Sequence, residues 1–341
     1  MVGLPGDGLI AAGSFTWRDG ERIIAFGRGR AAEAVELAGG PGFALLTTER
    51  ALAAAPALGG AAAVVHHVGE GTVPPLAAAA LDALPSGDGR YVALGGGRVV
   101  DVAKAVAAAR GTGARALAVP TTLSGAELTS VHRHAEGVEE STPRVRCALV
   151  VSDPALAASQ PEEDLAASAL NALAHAAESP CTVAANPVST LAAHAAARLL
   201  VAGLSRHVPD RDQLALGALL AGYAMDSTGY GLHHVLAQTL VQRGLASHGR
   251  SNAVLLPHTL RALARRRPAE VAALDAAIGQ DAAGAAASLC ARTGAVRLRD
   301  LGIDGAALDA AADAAAARPQ LDHTPPRADR AELRAVYAAA W

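Results

Sequence analysis

Strand-like runs alternate with helical stretches as far as about Asp153 and then stop, and this division constrains the fold more than any other feature. The candidate strands are Arg22–Phe26, Phe43–Thr47, Ala61–Val65, Tyr91–Leu94, Ala116–Val119 and Cys147–Val151. Between them, Arg30–Leu37, a stretch from Glu49, Pro75–Leu84 and Val99–Ala109 have helical character. Short Val-, Ala- and Leu-rich strands alternating with helices predict a parallel sheet covered on both faces. Thr129–Pro143 is polar and reads as an irregular or hairpin excursion. From Pro161 only helices are expected: Glu162–Ala177, Pro187–Ala202, Arg211–Met225, Leu232–Leu240, Asn252–Ala264, Pro268–Ala277, Ala282–Thr293, Ala306–Ala317 and Asp329–Ala340. The expected division is an α/β domain over residues 1–155 and an all-helical domain over 156–341.

Composition narrows the partners. The 341 residues carry 29 Lys and Arg against 32 Asp and Glu, with no basic tract, which argues against nucleic acid. The apolar excess is mostly alanine, and no run approaches the roughly 18 residues of a membrane span. The N-terminus lacks the basic start and apolar run of a signal peptide. Cys147, Cys181 and Cys290 form no CxxC pair or disulfide framework, which fits a reducing, cytoplasmic setting. Cys181 and Cys290 read as small packed hydrophobes, and His66, His67, His194 and His207 as surface or helix residues.

Gly95-Gly96-Gly97 follows a strand and opens a helix. Glycines let the backbone approach a ligand closely, and free amides at a helix start suit a pyrophosphate. The turn is not the GxGxxG fingerprint, and a ligand-free tight turn is the plain alternative. The next strand end, Pro120-Thr121-Thr122-Leu123-Ser124-Gly125, brings hydroxyls to the edge where open α/β sheets bind ligands. Asn171 and His175 stand at i and i+4 on one helix face, as do His234 and Gln238 on another. His248 and His258 follow. Convergence on a metal is one outcome of such spacing, and separate structural histidines are the other.

Taken together, these motifs resemble those of the iron-containing alcohol dehydrogenase superfamily, with its dehydroquinate synthase-like fold. Gly95 to Lys104 is similar to its GGGSxxDxAK signature, Pro120 to Glu127 to PTTxxG[SA]E, and Asn171 to Glu178 to its metal-helix motif. Gly231-Leu232-His233-His234 and Ser247 to His258 complete the set, and the form looks closest to the maleylacetate reductase branch. The resemblance implies a Rossmann-like domain, a helical domain and a cleft between them. It implies NADH or NADPH held by Thr48, Gly95, Gly96, Gly97, Arg98, Asp101, Thr121, Thr122, Ser124 and Leu128. It implies catalytic positions at His175, His233, His234, His248, Asn171 and Gln238, and a homodimer acting on a small molecule. A metal, Fe or Zn, would take His175, His234, His248 and Asn171 as ligands.

The chain departs from this pattern in ways that bear on chemistry. Asn171 stands where metal-dependent members have Asp, so weak metal binding or none is expected. Gln238 stands where a His is usual and cannot exchange a proton near neutral pH. Arg98 replaces Ser and suits a phosphate or carboxylate, and Arg133, Arg144 or Arg146 stands in for a lysine of the 136–142 loop. Thr48 stands near the Asp of NAD-specific relatives, which permits NADPH, although Glu49 adjoins it. The leading expectation is hydride transfer to a carboxylated carbonyl or enone, as in maleylacetate reduction. The alternative is oxidation of an alcohol or β-hydroxy acid in specialised metabolism. A metal-containing alcohol dehydrogenase and a nucleotide-binding protein without turnover are two further readings.

Overall fold

The computed structural model describes residues 13–85, 87, 89–157, 160–246 and 248–341, without the side chains of Ala157 and His248. The N-terminal stretch read for a signal peptide lies outside the described residues. Cα packing gives an α/β unit and a helical unit. The first comprises Met1–Thr121, His132–Ala158 and Arg211–Leu216, the second Thr122–Val131, Ser159–Asp210 and Gly217–Trp341.

The α/β unit is built on a sheet of β1 (Phe15–Asp19), β2 (Arg22–Phe26), β3 (Ala44–Thr47), β4 (Val64–His67), β5 (Arg90–Gly95), β6 (Arg115–Pro120) and β7 (Cys147–Ser152). Their order is β1-β2-β7-β6-β5-β3-β4. Only β1 runs antiparallel to its neighbour, and the other pairs are parallel. β3 is buried throughout, because helices cover both faces of a parallel sheet. Phe43, Leu45, Leu58, Val92, Leu94, Val119 and Val151 meet in one core cluster. Each such side chain contributes roughly 1.5–3 kcal/mol through its burial.

Three elements differ from the sequence expectation. β1 has no counterpart in it; its alternating half-buried and exposed residues pair with β2 across a Gly20-Glu21 turn, with Gly20 at φ 61°. β4 starts later than expected because Ala61 ends the helix Pro56–Ala61, so His66 and His67 are strand residues. Arg30–Leu37 divides into a 3₁₀ turn, Arg30–Glu33, and a short α-helix, Ala34–Leu37. Residues 129–143 form no strand or helix, as the irregular alternative required.

The helical unit contains no strand among its described residues. Its helices start on side-chain caps where the sequence supplies them: Asn186 closes a capping box, and Asp281 and Asp329 accept from Gly284 and Glu332 amides. Pro187–Ser205 has the length and mean apolarity of a membrane-spanning helix, although Ser189, Thr190, His194 and Arg198 interrupt its apolar run. Ala193, Ala196, Ala197, Leu200 and Leu204 on that helix are buried in the unit, whereas Val188 and Leu191 near its start are exposed. Cys181 and Cys290 are likewise buried, and burial pushes their thiols up to about 12 and about 11.

Candidate active site

Within the α/β unit the chain reverses its direction of sheet growth between β3 and β5. β4 lies beyond β3 on one side, and β6 and β7 lie beyond β5 on the other. Open α/β sheets bind ligands outside the carboxyl ends of the strands at such a point. Thr47 and Leu94 stand opposite each other there, and the Thr47 hydroxyl donates to the Leu94 carbonyl at 2.9 Å. The helix Gly97–Arg110 starts directly from β5, with Gly96 as its cap. A Cβ on Gly95 would lie 2.7 Å from Val99 Cγ2, so a glycine is what lets this helix sit against its strand. Free amides then face outward at the helix start. Thr48, Arg50, His67, Glu70 and Arg98 line a depression of about 320 Å³ beside this turn, together with Glu49.

The other expected cofactor positions have defined local partners. The Thr48 hydroxyl caps the helix Glu49–Ala54 by accepting from the Ala51 amide at 3.3 Å. Asp101 pairs with the fully buried Lys104 at 2.8 Å. The Thr121 amide donates to the Gly95 carbonyl at 2.9 Å. Thr122, Ser124 and Leu128 belong to the helical unit. Their turn is tied down where Ser168 Oγ accepts from the Leu123 amide at 2.9 Å. Gly125, at φ 74°, brings this turn against Gly222 Cα and the His175 ring, each within 3.5 Å of where its Cβ would stand.

The second group lies wholly inside the helical unit. The helix Glu162–Glu178 carries Asn171, His175 and Glu178 at i, i+4 and i+7, and all three are buried. The helix Leu232–Gln242 begins with Leu232, His233 and His234, also buried. Glu178 joins the two helices. Its Oε1 accepts from the His233 amide at 2.7 Å, and its Oε2 meets His234 Nδ1 at 2.8 Å. A carboxylate at a helix N-terminus is favoured by both the free amide and the dipole. Gly231 leaves room for Thr324, whose Oγ1 would stand 2.0 Å from a Cβ at that position, with Glu178 Oε1 at 3.4 Å. Burial raises the Glu178 carboxyl above its ordinary value, and the neighbouring imidazole and the amides oppose that rise.

The contact with Glu178 fixes the tautomer of His234: Nδ1 carries the hydrogen and Nε2 faces away from the carboxylate. Its ring stacks on His175 at 4.6 Å between centroids. His233 turns the other way, with Nδ1 2.7 Å from Thr259 Oγ1 and Nε2 3.0 Å from Asn252 Oδ1. A neutral ring satisfies both contacts by accepting from the threonine and donating to the amide oxygen. Asn171 Oδ1 is buried without a hydrogen-bond partner. Gln238 accepts from Arg318 Nη2 at 2.8 Å. His248 opens the helix His248–Arg266, and its side chain is outside the described residues.

The structure therefore brings together His175, His233 and His234, with Asn171 one turn before His175 on its helix. Sequence reasoning quoted Glu178 only as part of a motif and gave it no role, although its spacing from Asn171 and His175 put it on their face. It quoted Asn252 likewise within a motif and without a role, and it missed Thr259 and Arg318 altogether. A divalent iron or zinc ion fits these residues poorly. The donors are a carboxamide oxygen and neutral imidazoles, and the nearby carboxylate, Glu178, is taken up by His233 and His234. Among the described residues no group of three His, Cys, Asp or Glu side chains could hold a metal.

Comparison with known proteins gives a consistent picture. The Fe-containing alcohol dehydrogenase family, C-terminal, matches residues 165–341. The chain is 32% identical over 260 residues to maleylacetate reductase of Rhizobium sp. (strain MTP-10005), covering 73% of each. It is 36% identical over 231 residues to maleylacetate reductase 2 of Cupriavidus pinatubonensis (strain JMP 134 / LMG 1197), covering 65% of this chain and 63% of that one. The crystal structure of maleylacetate reductase from Agrobacterium tumefaciens superimposes with a TM-score of 0.82 at 29% identity, covering 96% and 97% of the two chains.

Proposed function

The chain belongs to the Fe-containing alcohol dehydrogenase family and is an NAD(P)-dependent oxidoreductase; from that premise we propose that it reduces the C=C bond of a carboxylated enone of the maleylacetate type without a metal. The observation that carries this reading is the buried Glu178–His234 pair stacked on His175, with the carboxamide of Asn171 on the same helix face.

Bound NAD(P)H supplies a hydride. The hydride adds to the alkene carbon β to the ketone, and an enolate forms on the ketone oxygen. A proton then adds to the α carbon, so the alkene is saturated and the ketone is restored. The chain has to hold the enolate and deliver that proton. His234 is placed to deliver it from Nε2, because Glu178 holds Nδ1–H and stabilises the charged ring. The Asn171 carboxamide and His175 are the hydrogen-bonding groups for the enolate oxygen, a role that needs no Lewis acid when the donors are preorganised. His233, engaged by Thr259 and Asn252, orients the start of its helix. Incubation with maleylacetate and NADPH or NADH tests the reading: 3-oxoadipate forms in step with cofactor oxidation. Inertness toward maleylacetate, with turnover of alcohols or β-hydroxy acids, would overturn it.

The cofactor reading is NADPH as well as NADH. Thr48 brings no charge against a 2′-phosphate, and Arg50 and Arg98 line the same depression and offset the carboxylates of Glu49 and Glu70 there. Arg98→Ala is expected to raise the KM for NADPH about 10-fold while changing that for NADH much less. Steady-state kinetics with both cofactors measures this, and equal changes would assign Arg98 to the shared pyrophosphate instead.

A further inference from the structure

Arg318 lies in the helical unit, eighty residues beyond Gln238 in the chain. It is the residue before the 3₁₀ turn Pro319–His323. Its Nη2 donates to Gln238 Oε1 at 2.8 Å and to the Tyr230 hydroxyl at 3.2 Å. Both partners lie near His234. Gln238 stands one turn after His234 on the same helix face, and the Tyr230 ring lies 6.2 Å from the His234 ring. The guanidinium is half-buried, yet among the described residues no carboxylate pairs with it. Its Nη1 is sealed from solvent and has no hydrogen-bond partner. Tyr337 is packed nearby, but its hydroxyl donates to the Leu236 carbonyl and supplies no counter-charge.

A desolvated guanidinium without an anion carries a cost that a carboxylate ligand removes. Its planar fork leaves Nη1 for that ligand while Nη2 keeps Gln238 and Tyr230. A histidine at position 238 would offer no amide oxygen to hold the fork, so the glutamine and the arginine make one device. We propose that Arg318, held by Gln238 and Tyr230, binds a carboxylate of the substrate and sets the preference for dicarboxylic over uncharged carbonyl compounds. This deepens the reading of the same site as a reductase of carboxylated enones and rests on it. The anion is placed about one helical turn from His234, a few bonds from the carbon that receives the proton.

The test uses the full-length protein, Arg318→Gln and Arg318→Lys. Adipate serves as an unreactive dicarboxylate probe, and its binding is measured by calorimetry independently of turnover. Adipate affinity falls about 10- to 100-fold in Arg318→Gln and recovers partly in Arg318→Lys. With maleylacetate, KM rises by a similar factor while kcat and the KM for the nicotinamide cofactor change little. Equal adipate affinity in all three proteins, or no adipate binding to any, would overturn the assignment, as would a fall in kcat at constant KM. Adipate binding that depends on Arg318 in a protein inert toward maleylacetate would retain the carboxylate anchor and discard the enone-reductase reading.

Discussion

Glu178→Gln lowers kcat by about 10²- to 10³-fold with maleylacetate and leaves the fold intact. The substitution keeps an oxygen for the His233 amide, so the start of the helix Leu232–Gln242 remains capped. What changes is the face toward His234. The carboxylate accepts from Nδ1 at 2.8 Å, whereas an amide nitrogen there donates and turns the ring to the opposite tautomer. The protonated ring also loses its counter-charge, so the alkaline limb of the pH–rate profile, where the proton donor is lost, moves to lower pH by about one unit or more. Burial already opposes ionisation of Glu178, and a neutral side chain of the same shape relieves that penalty. The thermal midpoint therefore stays within about 3 °C of the parent. A fall in activity that follows a fall in stability, with an unshifted profile, would assign Glu178 to packing alone.

Acid destabilisation of the α/β unit through His132 is the second large effect. This imidazole is buried with its protonation state fixed by its neighbours. Nδ1 donates to the Arg133 carbonyl at 3.2 Å, and Nε2 accepts from the Val145 amide at 3.1 Å. A proton on Nε2 would break the second bond. Burial brings the ring down to about 4, and the charges of Lys104, His134 and Arg144 act in the same direction. The unfolded chain takes up this proton near the ordinary value of about 6.5 and the folded chain only near 4. The stability contributed by the neutral ring is thus present above pH 6.5 and is lost as pH falls toward 4. The loss is about 2 kcal/mol between pH 7 and pH 5 and about 3 kcal/mol in full. Urea denaturation at both pH values measures it. His132→Gln, which keeps an acceptor for Val145, removes most of this dependence. An unchanged slope in the variant would trace the acid loss to other groups.

How far the sequence carried these conclusions depends on the distance over which each signal acts. Helices such as Pro187–Ser205 and Leu232–Gln242 declare themselves locally through spacing, caps and turn residues. β1 was missed because Thr16, Arg18 and Asp19 dilute its apolar alternation. The Asp19-Gly20 pair at its end is a hairpin signal that would have found it. Asn171, His175 and His234 were legible as helix-face pairs and through the family motifs. The role of Glu178 was legible in period but not in partner, since His234 lies 56 residues away. Arg318 left no local trace, because only the tertiary fold sets it against Gln238. Thr259 and Asn252 look like ordinary polar residues of a helix until His233 is seen between them.

The central claim is that the side chains around Glu178 and His234 stabilise the enolate and supply the proton without a metal. Metal content by mass spectrometry, paired with maleylacetate-dependent cofactor oxidation before and after dialysis against a chelator, tests it most directly. The account predicts substoichiometric metal and a turnover that chelation leaves within about twofold of its starting value. Stoichiometric metal, with turnover that vanishes on chelation and returns on adding Fe²⁺ or Zn²⁺, would contradict it.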